Sequence, residues 1–204
     1  MKKLFEFDKK IRCAGFLVGV DEAGRGPLAG PVVSAAVILK RNLFIKNLND
    51  SKKLKTQTRF AVFNEILNNC IDCQVGIIDN FTIDRINILK ATKLSMQLAV
   101  KRLNLKPCLV LIDGNQPIDI KIPQITIIDG DTKSASIAAA SVIAKVTRDL
   151  LMIGYDRYFP NYGFIKHKGY GTKLHIDAIN NFGPCQLHRK SFKPVKIYDA
   201  SITR

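Results

Sequence analysis

Residues 16–33 read FLVGVDEAGRGPLAGPVV, and this stretch decides the fold class and the chemistry expected of the chain. Phe16–Val20 is a short apolar run that predicts a buried β-strand, and two carboxylates, Asp21 and Glu22, follow it directly. A glycine-rich loop (GRGPLAG) then leads into a second apolar run, Val32–Leu39, which predicts another strand. The sequence therefore places an acidic pair and a glycine loop between two strands.

Outside this stretch, apolar runs typical of strands alternate with segments whose apolar residues recur at helical spacing. Further strands are predicted at Cys70–Ile78, Cys108–Ile112 and Ile125–Ile128. Helices are predicted at Thr56–Asn69, at Ile83–Leu103 (one helix or two), from Ser134 to about Tyr158, and at Thr172–Phe182. This alternation predicts an α/β protein with a helical C-terminal part.

The composition is that of a globular domain. The 204 residues include 47% hydrophobic and 24% charged side chains, which excludes a disordered or fibrous chain, and the length favours one domain. The central apolar stretch Ala135–Ala144 is too short and too rich in serine to span a bilayer, and residues 1–12 contain no apolar signal core. We therefore expect a soluble cytoplasmic protein.

The net charge of +15 favours a polyanionic partner. Basic side chains also gather in two clusters, for which nucleic acid is the favoured polyanion. The clusters are Lys52, Lys53, Lys55 and Arg59, and Arg189, Lys190, Lys193 and Lys196.

The cysteine pattern does not predict a disulfide framework. The cysteines are five in number, scattered, and mostly inside apolar runs, which indicates reduced and buried thiols. Cys70 and Cys73 form a C-x-x-C pair, but no second pair completes a zinc site.

Acidic residues follow three of the predicted strands: Asp21 and Glu22, then Asp113, then Asp129 and Asp131. Because ligands of open α/β sheets gather at strand ends, we expect carboxylates from all three places to converge. An all-oxygen set with no histidine nearby suits Mg²⁺ or Mn²⁺ rather than zinc. Any one aspartate taken alone is better explained as a loop or capping residue, but the whole set favours a metal site.

The glycine loop is not typical of nucleotide-binding loops. Asp21 and Glu22 would repel a pyrophosphate, and a strand rather than a helix follows the loop. The later segment Gly130–Ser134 lacks the glycine-lysine pair of a phosphate-binding loop. A glycine loop that carries Arg25 beside a metal site is better suited to the close approach of a sugar–phosphate backbone.

Eight blocks, in order along nearly the whole chain, carry a recognisable pattern. They are VDEAGRGPLAGPVV (20–33), NDSKKL (49–54), INILKAT (86–92), LIDGN (111–115), GD (130–131), AAASVIAKVTRD (138–149), HKGYGT (167–172) and HRKSF (188–192). This pattern resembles that of the ribonuclease HII family, the type 2 ribonucleases H. The resemblance implies the ribonuclease H-like α/β fold, with a mixed central β-sheet flanked by helices and a helical C-terminal region. It implies one domain over residues 1–204, with a catalytic core at about 1–158 and the helical part at about 159–204.

The resemblance also implies roles for individual residues. The catalytic carboxylates, which bind Mn²⁺ or Mg²⁺, are Asp21, Glu22, Asp113 and Asp131. The loop of Gly24, Arg25 and Gly26 reads the 2′-hydroxyl of a ribonucleotide, and Tyr170 packs on the sugar at the junction with DNA. We expect phosphate contacts from Lys52, Lys53, Lys145, Lys168 and Arg189.

The implied activity is hydrolysis of the RNA strand of RNA–DNA hybrids, and cleavage on the 5′ side of ribonucleotides in duplex DNA. Two metal ions support the reaction, which leaves 3′-hydroxyl and 5′-phosphate ends. We expect a monomer, and the short segment before Asp21 does not suit the extra N-terminal domain of ribonuclease HIII. Asp129 stands where the family commonly has a basic residue. It shares a face with Asp131 if the strand extends that far, and otherwise turns into solvent.

Two other functional classes stay open on the sequence alone. A non-catalytic module that recognises hybrids by shape has no use for four converging carboxylates, which repel phosphate without a metal. A metabolic phosphate-binding enzyme with a glycine loop is disfavoured by the acidic pair before the loop and by the strand after it. Cleavage of a hybrid with Mg²⁺ or Mn²⁺, and none with EDTA, separates these alternatives.

Overall fold

The computed structural model describes residues 2–11, 13–41, 43–48, 51 and 54–199. The strands are β1 (Phe16–Ala23), β2 (Val32–Leu39), β3 (Cys70–Ile78), β4 (Pro107–Asp113) and β5 (Gln124–Ile127). The helices are α1 (Lys2–Lys10), α2 (Thr56–Asn69), α3 (Asn80–Ile86), α4 (Ile88–Lys101), α5 (Ala135–Asp156), α6 (Phe164–His167), α7 (Lys173–Phe182) and α8 (Val195–Asp199). Two 3₁₀ turns lie at Gly130–Thr132 and Pro160–Tyr162.

The strands form one mixed sheet in the order β3-β2-β1-β4-β5. Strands β1, β4 and β5 run parallel to one another, whereas β2 is antiparallel to both β1 and β3. The predicted α/β class with a mixed sheet between helices is therefore confirmed. Because β1, β4 and β5 point the same way, their carboxyl ends meet at one edge of the sheet.

Helix α5 packs directly against one face of this sheet, and Gly19 of β1 allows the close approach. A Cβ atom at residue 19 would lie 2.1 Å from the carbonyl carbon of Ser136 in α5. Any larger residue would therefore push the helix away. Since side chains alternate along a strand, Asp21 faces the same helix as Gly19. Val20 faces the opposite side, where it packs in a cluster with Met96 of α4.

The C-terminal region is helical, as predicted. Tyr162 and Phe164 form a buried cluster with Ala29 of the glycine loop and Met152 of α5, so this region packs on both the loop and the sheet-covering helix. The division of the chain near residue 158 stays a prediction. Within the described ranges, every helix is too short or too polar to span a bilayer.

Most predicted elements are confirmed, and the departures have local causes. Strand β1 continues through Glu22 to Ala23 because these residues pair with β2, so the acidic pair lies inside the strand and not after it. The segment that begins near Ile83 is two helices, which Asn87 separates with a φ of 67°. The sequence does not predict α1, α6 and α8, which are too short to show a clear periodicity.

The prediction of five reduced cysteines is wrong for one pair. Cys13 and Cys108 form a disulfide, although 95 residues separate them. They meet because Cys13 leads into β1 and Cys108 lies on the parallel neighbour β4, where Phe16 pairs with Pro107. The other cysteines are free, and burial raises the pKa of Cys73 to about 12, which keeps it a protonated thiol.

Candidate active site

Four carboxylates come together at the edge where the parallel strands end. Asp21 lies in β1, and Asp113 is the last residue of β4. Because Val20 pairs with Ile112, the next residues along, Asp21 and Asp113, lie side by side. Glu22 is the neighbour of Asp21 on β1, and Asp131 lies in the 3₁₀ turn that follows β5 and leads to α5.

The electrostatics of Asp21 reflect this convergence. Its side chain is only 5% exposed, and its pKa is raised well above 3.8, first by burial and then by the negative charges of Glu22 and Asp113. Asp131 raises it further, while the Glu22 amide, which donates to Asp21 Oδ1 at 2.6 Å, acts in the opposite direction. The negative charges at this end of the sheet therefore repel one another at Asp21.

A backbone contact ties the third strand to the other two. The Gly130 amide donates to Asp113 Oδ1 at 2.6 Å, which links the end of β4 to the turn that carries Asp131. Asp131 is 7% exposed, and Gly130 is buried beside it. The turn therefore holds Asp131 against the same end of the sheet as Asp113.

The donor set fits a hard divalent cation in its chemistry. All four side chains offer carboxylate oxygens, which Mg²⁺ and Mn²⁺ prefer, and a cation would offset the repulsion that raises the pKa of Asp21. Across the described ranges, no three His, Cys, Asp or Glu side chains already surround a common point. Glu22 instead contacts Arg25, with Oε1 and Nη1 3.4 Å apart. Ligation by Glu22 would therefore compete with its contact to Arg25.

The glycine loop has a buried base and an exposed tip. Arg25 and Gly26 are exposed, whereas Gly24 is buried beside them. Gly24 has a φ of +97°, and a Cβ atom there would lie 2.2 Å from Nε of Arg148, so only glycine fits. At Gly26, by contrast, a Cβ atom would meet nothing within 4 Å. Nothing inside the protein requires glycine at position 26.

Arg189 lies under the loop and not on the surface. Its side chain is 0% exposed, and its guanidinium donates to the carbonyl oxygens of Gly24, Arg25 and Gly30 at 2.6, 3.0 and 3.0 Å. The phosphate contact predicted for Arg189 is therefore wrong, because all of these donors already face backbone acceptors. The sequence places Arg189 in a basic cluster, and only the tertiary fold reveals that it is buried.

Arg148 of α5 is a second buried arginine that the sequence analysis does not single out. It is 0% exposed and donates to the carbonyl oxygens of Ala29, Pro31 and Lys168 at 3.1, 3.0 and 3.0 Å. It therefore joins the far side of the glycine loop to the segment that carries Tyr170. An arginine inside an Ala-rich apolar helix is the sequence signal that marks such a residue.

Tyr170 lies at the surface among cations, close to that junction. Its side chain is 41% exposed, and its ring centroid lies 5.6 Å from Nζ of Lys145 and 5.7 Å from Cζ of Arg148. Lys145 also forms an ion pair with Asp149 at 2.7 Å. Lys168 is partly buried and donates to the carbonyl of Ile165, and burial lowers its pKa.

Two further sequence predictions concern the phosphate contacts of Lys52 and Lys53 and the position of Asp129. Lys52 and Lys53 lie outside the described residues. Asp129 is exposed and has a left-handed φ of 53°, because β5 ends at Ile127 and the chain turns before Asp131. The strand therefore does not extend far enough for Asp129 to share a face with Asp131.

Three buried histidines, which the sequence analysis also does not single out, lie beneath Tyr170. The Cys185 amide donates to Nδ1 of His188, which leaves Nε2 of His188 to donate to Nε2 of His175 at 3.0 Å. Nδ1 of His175 then donates to the Tyr170 carbonyl at 2.9 Å. His167 stacks on His175 with ring centroids 4.3 Å apart. This chain of bonds requires neutral imidazoles.

We expect the protein to lose stability as the pH falls below 6.5. Burial lowers the pKa of both His175 and His188 to about 4 from the ordinary 6.5. Between these values the unfolded chain binds protons that the folded chain does not, so the free energy of unfolding falls with pH. Urea denaturation should give a loss of roughly 2 kcal/mol per histidine between pH 7 and pH 5.

A variant that cannot titrate isolates this effect. The side chain introduced by His188→Gln keeps one hydrogen-bond donor and one acceptor. The carboxylates elsewhere in the variant protein titrate as they do in the unsubstituted protein. The stability of the variant should fall about half as steeply over the same pH range. Equal slopes in the two proteins would show that the histidines do not carry the pH dependence.

Comparison with known proteins assigns the family. The model of the ribonuclease HII family matches residues 18–195, which include all four carboxylates, the glycine loop and Tyr170. The chain belongs to the ribonuclease HII family. A curated ribonuclease HII from Geotalea daltonii is 53% identical over 195 residues, which cover 95% of this chain and 90% of the relative. Family membership makes the chain a divalent-metal-dependent endoribonuclease, a hydrolase.

Solved structures agree with the family fold. Ribonuclease H2 from Pyrococcus horikoshii superposes with a TM-score of 0.77 at 22% identity, covering 93% of this chain and 99% of that one. Bst-RNase HIII in complex with Mn²⁺ superposes with a TM-score of 0.68 at 20% identity, covering 92% of this chain and 70% of that one. At these identities the two structures support the ribonuclease H-like fold.

Proposed function

We propose that this ribonuclease HII hydrolyses the RNA strand of RNA–DNA hybrids and cleaves on the 5′ side of single ribonucleotides in duplex DNA. The products carry 3′-hydroxyl and 5′-phosphate ends. The reaction uses two divalent ions, Mg²⁺ or Mn²⁺, and the chain acts as a monomer with one domain over residues 1–204. The Mn²⁺ of the neighbouring Bst-RNase HIII structure supports this class of ion.

One observation carries the proposal: a buried carboxylate, Asp21, lies close to the negative charges of three other carboxylates, beside a glycine loop whose tip is exposed. Phosphodiester groups are anionic, so such a site repels its substrate unless cations neutralise it. A nuclease site that is completed by divalent ions accounts for both the acidic cluster and its position on a chain of net charge +15.

In this proposal, Asp21, Glu22, Asp113 and Asp131 hold the ions. When bound, divalent ions activate the attacking water and neutralise the charge that develops on the phosphoryl and leaving oxygens. The contribution of the chain is geometric. Strands β1 and β4 fix Asp21 and Asp113 side by side, and the Gly130 amide keeps Asp113 oriented toward the turn of Asp131. The scissile phosphate is thereby directed to one edge of the sheet.

Selection of a ribonucleotide requires a contact with its 2′-hydroxyl, since this group is the local difference from DNA. We assign that contact to the exposed tip of the glycine loop, Arg25 and Gly26, where no Cβ atom blocks the approach at position 26. Tyr170 offers its exposed ring to the adjoining sugar. Lys145 and Lys168, together with Lys52 and Lys53, contact phosphates of the duplex.

A cleavage assay tests the proposal. Purified protein is incubated with a continuous hybrid and with a duplex that carries one ribonucleotide, in Mg²⁺, in Mn²⁺ and in EDTA. We expect cleavage of both substrates with either ion and none with EDTA, and the 3′ ends should be extendable by a DNA polymerase. Binding without cleavage in both ions, or cleavage that persists in EDTA, would refute it.

Tyr170→Ala tests the sugar contact. Base–aromatic contacts are worth about 1–3 kcal/mol, so we expect cleavage at a single ribonucleotide to fall by roughly tenfold to a hundredfold. The loss should appear mainly in kcat, because the ring positions the phosphate, and the hybrid should respond differently. The melting temperature should change little, since the ring is 41% exposed.

Tyr158→Ala serves as the matched control for this variant. Tyr158 is 79% exposed and follows the C-terminal end of α5, outside the candidate site. The Tyr158→Ala variant should cleave both substrates at the rates of the unsubstituted protein. If Tyr170→Ala lowers the melting temperature and damages both substrates equally, Tyr170 has a packing role and not a sugar contact.

A further inference from the structure

Carbonyl groups of the glycine loop turn into the protein just before its tip and at the first residue of the tip. Two neighbouring carbonyl oxygens, those of Gly24 and Arg25, accept from the two terminal nitrogens of Arg189, Nη2 and Nη1, at 2.6 and 3.0 Å. Nε of Arg189 donates to the carbonyl oxygen of Gly30 at 3.0 Å, across the loop. One fully buried guanidinium thus holds both ends of the loop.

The planar peptide bond converts this contact into an orientation of the amides. In a trans peptide the C=O of one residue and the N–H of the next point in opposite directions. With the Gly24 and Arg25 carbonyls directed at Arg189, the amides of Arg25 and Gly26 point away from it. Two successive N–H groups on one side of the chain form a small concavity that accepts an electron-rich oxygen.

The two residues that carry these amides lie at the surface. Arg25 and Gly26 are both exposed, and over the described ranges neither amide donates to another backbone group. The Arg25 side chain reaches Glu22, with Nη1 and Oε1 3.4 Å apart, so the amide pair lies next to the acidic cluster. The pair is therefore well placed for a sugar oxygen whose phosphate lies at the carboxylates.

We propose that Arg189 is a positioning residue, which turns the amides of Arg25 and Gly26 outward as paired donors to the 2′-hydroxyl oxygen of the ribonucleotide. This role rests on the proposed nuclease function and adds the residue that sets its selectivity. The planar fork of arginine is essential here, because it reaches two carbonyls in a fixed relative geometry, whereas the ammonium group of lysine is a point donor.

Arg148 provides a matched comparison within the chain. It is also 0% exposed and also donates to three carbonyl oxygens, but these belong to Ala29, Pro31 and Lys168. Its bonds do not involve the carbonyls whose peptide groups contain the Arg25 and Gly26 amides. Loss of either guanidinium removes similar packing and hydrogen bonding, and only loss of Arg189 releases the amide pair.

The experiment measures affinity for two duplexes that differ by one 2′-hydroxyl. Arg189→Lys and Arg148→Lys are each placed in an Asp113→Asn background, which blocks cleavage, and binding in Mg²⁺ is followed by fluorescence anisotropy. The ratio of the two Kd values reports ribose recognition, while affinity for the all-DNA duplex reports phosphate contacts. Melting temperatures of both variants are measured in parallel.

We expect Arg189→Lys to reduce the ribose preference by about tenfold, the value of one or two hydrogen bonds, with little change in affinity for the all-DNA duplex. Arg148→Lys should lower the melting temperature by about as much as Arg189→Lys does, but it should keep more of the preference for the ribonucleotide duplex. An unchanged preference in Arg189→Lys overturns the proposal. An equal fall in the affinity of Arg189→Lys for both duplexes also overturns it, because it indicates a phosphate contact. An equal loss of ribose preference in Arg148→Lys overturns it as well.

If Arg189→Lys does not fold, the unsubstituted loop is tested directly. The amide resonances of Arg25 and Gly26 should shift more with the ribonucleotide duplex than with the all-DNA duplex, and Arg189→Gln provides a second variant. Equal shifts with both duplexes overturn the proposal. The nuclease function is judged separately, by cleavage with the unsubstituted protein, so its failure is distinguishable from failure of the role of Arg189.

Discussion

Asp21→Asn is expected to lower the rate of cleavage of both substrates by about 10³-fold or more, because metal-assisted charge stabilisation in a phosphoryl transition state is worth several kcal/mol. The amide fills the same volume but holds a divalent ion poorly. The same substitution should raise the melting temperature. It removes a buried charge that Glu22, Asp113 and Asp131 repel, and a gain of about 1 kcal/mol corresponds to roughly 2–4 °C.

The combination of lost activity and gained stability is what makes this test specific. Asp129→Asn is the control, since Asp129 is exposed in the turn next to Asp131 and belongs to the same stretch of sequence. It should change neither cleavage nor the melting temperature. Activity near that of the unsubstituted protein in Asp21→Asn at saturating Mg²⁺ would show that these carboxylates do not form the metal site.

Gly26→Ala should reduce cleavage at a single ribonucleotide by roughly tenfold to a hundredfold, the value of a displaced hydrogen bond or two, and leave stability unchanged. The physical reason is that position 26 has no close neighbours within the protein and is open on its exposed side. A methyl group at position 26 meets nothing within 4 Å in the protein, so any penalty arises from the substrate. Urea denaturation and cleavage kinetics on both substrates measure the two effects separately.

Gly24→Ala is the matched variant and should behave in the opposite way. Its φ of +97° and the approach of its Cβ to 2.2 Å from Nε of Arg148 strain the folded chain, for a loss of roughly 3 kcal/mol or more. Cleavage of every substrate should fall with the folded fraction. If Gly26→Ala destabilises the protein as much as Gly24→Ala does, position 26 has a structural requirement and the ribose contact is not supported.

The sequence predicts what is encoded locally. The five strands and the long helix α5 follow from apolar runs and their boundaries, and the carboxylates follow from their position at strand ends. The convergence of Asp21 with Asp113 also follows, since parallel neighbouring strands end at the same edge. Even so, Asp21 lies within β1, because pairing with β2 extends the strand beyond its apolar run.

What the sequence does not predict depends on contacts between distant residues. Arg189 reads as one member of a basic surface cluster, and its burial depends on carbonyl groups that lie 159 to 165 residues away. The Cys13–Cys108 disulfide has the same origin, since 95 residues separate its two cysteines. No local pattern encodes such partners, because each residue type occurs far more often in an ordinary surface or core setting.

The buried arginine under the glycine loop also sets an order of events during synthesis. Residues 24–30 leave the ribosome early, yet the carbonyl groups of this segment find their partner only when residue 189 has been added. Until then these carbonyl groups of a nascent chain lack the donor that they contact in the folded protein. On the role proposed for Arg189, recognition of ribose therefore requires synthesis to reach residue 189, although the residues of the loop itself are made early.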